Sequence, residues 1–293
     1  MRRTLSFPLL FLFSVILLLI VFLLIECPAK KNGPAPASKT ALPGKGGERE
    51  IPPGPKTAAG RQAQPVVSAG KAAVIMDDLG NSLEAVRAVC ALKQPVTVAI
   101  LPFTPAARET AREARAGGLE IMLHLPLESL HQKISTASAG TIYTSMSGEE
   151  IRRNVEACLD QIPGCQGVNN HAGSMITEDD RIMPVILEVL KERGLYFIDS
   201  RTSKNTIAFD TARRMGVPAA SRQVFLDGDL TEAAIKAKIE ELFQAARDKG
   251  QAVGICHPKK ETLVALEKYL GSAGAYGVKL VFASEIAGKK DKP

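Results

Sequence analysis

Along residues 71–288, short β-branched and apolar runs alternate with stretches whose apolar positions recur at helical spacing. Ala72–Met76, Val96–Ile100, Glu120–Leu123, Gln166–Val168, Leu195–Ile198, a weaker run across 219–226 and Ala252–Cys256 predict seven strands, and Val278–Phe282 is a candidate for one more. Helix starts fall between them. Asn81 with Glu84, and Ser147 with Glu150, have capping-box spacing; Pro105 follows Thr104, Thr177 precedes a periodic run to Arg193, and Thr231 opens another to Lys249. Gly117 with Gly118, Gly194 and Gly250 stand where helices should stop. Parallel strands need crossover connections, so this alternation predicts an α/β fold with helices outside a parallel sheet. Seven or eight units suit a (β/α) barrel; an open doubly wound sheet is the alternative. Neither G-x-G-x-x-G nor G-x-x-x-x-G-K-[ST] occurs, so a nucleotide-binding sheet has no local support.

The first 70 residues follow a different pattern. Residues 9–25 are apolar but for Ser14, with Arg2 and Arg3 ahead of them. Such a run is long enough to cross a hydrocarbon core about 30 Å thick as a helix. Glu26, Cys27 and Pro28 follow it in place of the small residues a cleavage site needs, so an uncleaved signal anchor over 1–26 is expected, with the remainder of the chain outside the cytoplasmic membrane. If the segment were cleaved, the domain would be secreted. Residues 27–70 carry eight prolines and read as a linker. The expected organisation is therefore anchor, linker, a domain over 71–288 and a basic tail over 289–293.

Charge follows the same division. Residues 1–70 hold nine Lys+Arg against three Asp+Glu, leaving 28 of each for the rest of the chain, so the formal net charge of +6 belongs to the anchor and linker. A folded part without net charge lacks the electrostatic footprint of a nucleic-acid-binding protein, and no nucleic-acid partner is expected. The five cysteines, Cys27, Cys90, Cys158, Cys165 and Cys256, include no C-x-x-C pair, which argues against zinc–thiolate ligation. Cys158 and Cys165 are the nearest pair for a bridge, but buried thiols acting as small apolar residues are the expectation.

Only four histidines occur, and His124, His171 and His257 stand at or just after predicted strand ends; His131 falls in a surface loop. Asp77 and Asp78 end the first strand and Asp199 the fifth. In an α/β barrel these positions share the rim where active sites are built. Adjacent carboxylates on a continuing strand point in different directions, which allows one to bind a cation and the other to accept a proton. Asp78, His124 and His171 would supply three ligands of the kind Zn²⁺ and related metals take, and His257 as imidazolium could protonate a leaving amine. Glu128 reads equally as support for a histidine or as the start of a loop.

Five blocks, VIMDDLGNS (74–82), IMLHLPLE (121–128), VNNHAGS (168–174), YFIDSRTS (196–203) and VGICHP (253–258), together resemble the divergent polysaccharide deacetylase family over residues 71–286. The resemblance implies a distorted (β/α) barrel of about seven parallel strands that removes N-acetyl groups from sugars with a divalent metal, usually zinc. It implies Asp77 as general base, Asp78, His124 and His171 as metal ligands and His257 as general acid, with Asp199 and Arg201 lining the site and orienting the base. Asn169, Asn170 and Ser174 are then expected to shape the loop or touch substrate. Many polysaccharide deacetylases carry two metal-binding histidines four apart on one loop. Here Gly167 and Met175 occupy those positions around His171, so the second imidazole has to come from elsewhere, and His124 supplies it. Ala172 and Cys256 replace a methionine and a glycine of the family pattern.

The leading expectation is a membrane-anchored, metal-dependent hydrolase that deacetylates an N-acetylated envelope glycan. Two others compete with it: a barrel that binds glycan or a protein partner without turnover, and a glycoside hydrolase using Asp77 and Asp199 as paired carboxylates.

Overall fold

The computed structural model describes residues 70–130 and 138–288. The expected signal anchor, residues 27–69 of the linker, His131 and the basic tail lie outside the described residues. Among the described residues, no helix is long and apolar enough to cross a membrane.

The chain runs β1 (Gly70–Leu79), α1 (Leu83–Ala91), β2 (Val96–Ile100), α2 (Ala107–Ala116), β3 (Glu120–Leu127), α3 (Gly148–Gln161), β4 (Gly167–Ala172), α4 (Met183–Glu192), β5 (Tyr196–Asp199), α5 (Ala208–Arg214), β6 (Ala219–Ser221), β7 (Val224–Phe225), α6 (Glu232–Lys249), β8 (Gln251–Cys256), α7 (Lys260–Tyr269), β9 (Val278–Leu280) and α8 (Ala283–Ala287). Every strand pairing is parallel, in the order β6-β5-β4-β3-β2-β1-β8-β7, and β9 pairs with the first residues of β1. Among the described residues nine strands replace the expected seven or eight, chiefly because the run across 219–226 is two short strands on opposite edges of the sheet. Only Arg222 and Gln223 separate them. The Arg222 N–H donates to Asp199 O of β5, and the next N–H, of Gln223, donates to Val253 O of β8. Two consecutive residues thus draw the edges together and curl the sheet into a barrel-like α/β fold.

The strands are apolar on both faces because both are covered. Ala72, Val74, Met76, Val98, Ile121 and Leu123 pack outward against the helices, while Ala73, Ile75, Ala99, Met122, Ile198, Val253 and Ile255 fill the interior together with Ala283 and Ile286 of α8. Each fully buried Val, Leu, Ile or Met side chain among them contributes about 1.5–3 kcal/mol. Gly167 is required by the same packing, since a Cβ there would lie 2.3 Å from Cζ of Tyr196, whose ring crosses β4.

Three helix starts differ from expectation, and the one expected at Pro105 falls at Ala107, after Ala106. Ser82, not Asn81, precedes α1, without a side-chain cap. The helix expected from Thr177 begins at Met183, and the Thr177 hydroxyl instead donates to Gly173 O, 2.8 Å away. The capping box of Ser147 and Glu150 and the Thr231 cap form as the spacing predicts. Cys90, Cys158 and Cys256 are free thiols, and burial pushes the Cys158 thiol up to about 12.

Candidate active site

Strand alternation aims the interior side chains, so the inward set of β1 that begins with Ala73 and Ile75 continues to Asp77, and that of β3 runs from Met122 to His124. Simple alternation would turn Asp78 away. The β1–β2 register slips between Met76 and Leu79, and Asp78 adopts φ 61°, a left-handed conformation uncommon outside glycine, which re-aims its carboxylate onto the rim. Ala172 at the end of β4 (φ 53°) and Arg201 after β5 (φ 50°) share this strained backbone.

Three of the expected residues converge. Asp78 Oδ1 lies 3.0 Å from His171 Nδ1 and 3.2 Å from His124 Nε2, and those nitrogens are 3.1 Å apart. The triangle is nearly equilateral. Metal–ligand bonds of about 2.0–2.1 Å in a tetrahedron need donor atoms roughly 3.3 Å apart, close to these edges. Asp78 Oδ1 is buried and makes no hydrogen bond of acceptable geometry, although both nitrogens are near. Two imidazoles and an orphaned carboxylate oxygen facing one point form a donor set that fits a divalent cation of the zinc type. Burial would raise the Asp78 pKa, but His124 and His171 outweigh it and hold the carboxyl well below the usual range.

Asp77 stands beside this triangle, its Oδ2 3.6 Å from His124 Nε2. Burial pushes its carboxyl up from the ordinary value, against the opposing pull of His124 and of a 2.8 Å hydrogen bond donated by Asn169 Nδ2. The other end of that amide, Asn169 Oδ1, lies 2.8 Å from His124 Nδ1. Asn170 joins neighbouring loops, donating to Ala172 O and accepting from the Ser200 N–H, each at 2.8 Å.

His257 is on the other flank, its Nε2 3.9 Å from Asp78 Oδ2. Asp227 holds it, accepting from the His257 backbone N–H at 2.6 Å and lying 3.1 Å from Nδ1; Thr262 Oγ1 donates to the same carboxylate. Burial works against the charged imidazole, but the Asp227 carboxylate more than compensates, and the His257 pKa is raised. Phe225, 39% exposed, lies edge-on to the His257 ring, with Arg222 over its face.

Asp199 and Arg201 are placed differently from expectation. Asp199 is fully buried, but Oδ1 accepts from the Arg201 N–H and Oδ2 from Thr206 Oγ1 and the Phe209 N–H, so both oxygens serve the loop into α5. This removes the second carboxylate that a glycosidase pair would need. Arg201 is exposed, and its carbonyl accepts from Arg222 Nη2. Arg222, anchored on Ser200 O at 2.7 Å, is a guanidinium whose charge interacts with both Asp199 and Asp77. Glu128 accepts from the Thr144 N–H and hydroxyl and so fastens a loop. Ser174 Oγ likewise accepts from the Leu130 N–H, and Cys256 packs its buried thiol against Ile75 O.

Sequence reasoning missed Asp227, Arg222 and the bridging role of Asn169. Asp227 had a signal, an acid just past the weak sixth run. The bond from Asn169 to Asp77 crosses the interior between strands that are not neighbours and has no signature in a linear pattern.

A curled parallel α/β sheet with Asp and His side chains gathered at the C-terminal ends of its strands defines the class of molecule. The chain belongs to the divergent polysaccharide deacetylase family, whose profile matches residues 74–287. It is 35% identical over 202 residues to the uncharacterized protein YibQ of Escherichia coli, a match that covers 69% of this chain and 63% of that protein. An uncharacterized protein of Haemophilus influenzae is 31% identical over 198 residues, covering 67% of this chain and 70% of the other. The crystal structure of an uncharacterized protein from Agrobacterium tumefaciens superposes with a TM-score of 0.71 at 24% identity, covering 77% of this chain and 92% of that one, and shares the fold.

Proposed function

We propose that the domain is a metal-dependent hydrolase that removes N-acetyl groups from a glycan. The observation that carries this reading is the triangle of Asp78 Oδ1, His124 Nε2 and His171 Nδ1, flanked by a buried acid and a carboxylate-held imidazole. Asp78, His124 and His171 would hold a divalent cation, Zn²⁺ by the donor set, which supplies Lewis-acid polarisation to the acyl carbonyl and the attacking water.

The protein's own groups handle the protons. Asp77, its basicity raised by burial, accepts a proton from the water whose oxygen attacks the acetyl carbon. As the C–N bond breaks, His257 Nε2 donates its proton to the departing amine. Asp227, against Nδ1, keeps the ring oriented and favours the charged form. Amines leave poorly unless protonated, so a held imidazolium suits an amide. Family membership supports the sugar as the amine's carrier. We further propose that residues 9–25 anchor the domain outside the cytoplasmic membrane, where an envelope glycan is in reach.

The test is acetate release from N-acetylglucosamine oligomers by the full-length protein, with and without added Zn²⁺. Metal-dependent acetate without new reducing ends supports the reading. Tight oligomer binding with no acetate from zinc-loaded protein would move the assignment to a binding barrel.

A further inference from the structure

We propose that Asn169 is a positioning residue whose single buried amide couples the two halves of the site, setting the His124 tautomer for metal ligation and tethering Asp77 as base. The proposal rests on the functional reading above and extends it to a residue that touches neither metal nor substrate. Asn169 is fully buried on β4, directly across from His124 in the β3–β4 register. From there its side chain also reaches β1, where Nδ2 lies 2.8 Å from Asp77 Oδ1.

The chemistry fixes the amide's orientation. An ionised carboxylate only accepts, so the Asn169 NH₂ must face Asp77, and Oδ1 must then face His124 Nδ1 at 2.8 Å. An acceptor there requires the proton on Nδ1. That leaves the Nε2 lone pair pointing at His171 and Asp78, as ligation demands. The competing arrangement is close at hand. With the proton on Nε2, His124 could donate to Asp78 Oδ1 at 3.2 Å, and two ligand atoms would be spent on each other. Asn169 disfavours that state, because it would leave Nδ1 and Oδ1 facing each other as two acceptors. No other side chain of this size offers one acceptor and one donor in this geometry. Aspartate keeps the acceptor for His124 but sets a second carboxylate against Asp77, and alanine loses both ends.

The two substitutions therefore separate the two roles. Full-length wild type, Asn169→Ala and Asn169→Asp are labelled with ¹⁵N-histidine, and the four imidazoles are read by NMR in metal-free protein at alkaline pH, where they are neutral, after which Zn²⁺ is titrated calorimetrically. Wild type and Asn169→Asp should show His124 protonated at Nδ1 and bind Zn²⁺ within about threefold of each other, whereas Asn169→Ala should shift towards Nε2–H and bind roughly 10–100-fold more weakly. In the acetate assay Asn169→Asp should lose kcat with little change in KM, its metal retained. Asn169→Ala with a wild-type tautomer and affinity would overturn the proposal, as would Asn169→Asp losing Zn²⁺ as fully as alanine. Far-UV circular dichroism checks folding, and if the alanine variant does not fold, the aspartate variant decides between the two outcomes. A wild type that bound no Zn²⁺ would sink the hydrolase reading, while the tautomer comparison would still decide the role of Asn169.

Discussion

Glu120 and His124 sit on the same strand and face the same interior, yet their surroundings differ in kind. At the lower end Glu120 Oε1 accepts from Thr97 Oγ1 at 3.0 Å, Tyr196 OH at 2.8 Å and the Ser284 N–H at 3.1 Å, while Thr97 Oγ1 accepts from the Ala283 N–H. The first N–H groups of α8 thus land on Thr97 and an acid, a favourable end for a helix dipole. At the upper end Asp78 Oδ1 and Ser200 Oγ are buried without hydrogen-bond partners, and Asp78, Phe103, Ala172 and Arg201 hold left-handed backbone. A buried polar group without a partner costs about 1–3 kcal/mol. Below, the protein pairs its own polar atoms and seals the lower end of the curled sheet. Above, it leaves donors and acceptors aimed at a common point, which is what a site built for a cation and a substrate requires.

Substitutions can break that contrast, and the largest effect is expected at the metal triangle. His171→Ala should lower acetate release by roughly 10⁴-fold, because one of three ligands is lost while the core is untouched. His257→Ala leaves the triangle intact and should cost roughly 10³-fold in kcat with Zn²⁺ affinity unchanged, as expected for a lost general acid. At the lower end the readout changes. Glu120→Leu removes the acceptor shared by Thr97 Oγ1, the Tyr196 hydroxyl and the Ser284 N–H and should destabilise the fold by about 3 kcal/mol in denaturant unfolding, with Zn²⁺ affinity at the wild-type value.

The smallest effect is on pH dependence. In the proposed mechanism Asp77 must be ionised and His257 protonated, and in the metal-free site both pKa values are raised. The acidic limb of kcat/KM reports Asp77 and the alkaline limb His257, and the positive charge of a bound cation would lower both from their metal-free positions. Asp227→Asn removes the carboxylate that favours imidazolium but leaves the burial that opposes it. The alkaline limb should move down by roughly 1 unit, with the acidic limb in place.

How much of this could be read from the chain divides along the same lines. Strand–helix alternation exposed the fold class, and position at a strand end was enough to select Asp77, Asp78, His124, His171 and His257. Position alone does not say where a carboxylate's oxygens point. Asp199 and Asp78 are both strand-end acids, but Asp199 is consumed by its own loop while Asp78 is turned to the rim by a backbone conformation with no sequence signature. Asp227 was obscured because 219–226 reads as one weak strand, whereas the chain changes edges within it at Arg222 and Gln223. Asn169 needed the β3–β4 register and the curl of the sheet before its two partners could be known.

The central claim is that Asp78, His124 and His171 together hold a metal, and a calorimetric Zn²⁺ titration of metal-free full-length protein tests it most directly, with His171→Ala measured alongside. The account predicts one Zn²⁺ per chain for the wild type and none for the variant at the same concentrations, with unchanged far-UV circular dichroism. Equal Zn²⁺ binding by both proteins, or none by the wild type, would contradict it.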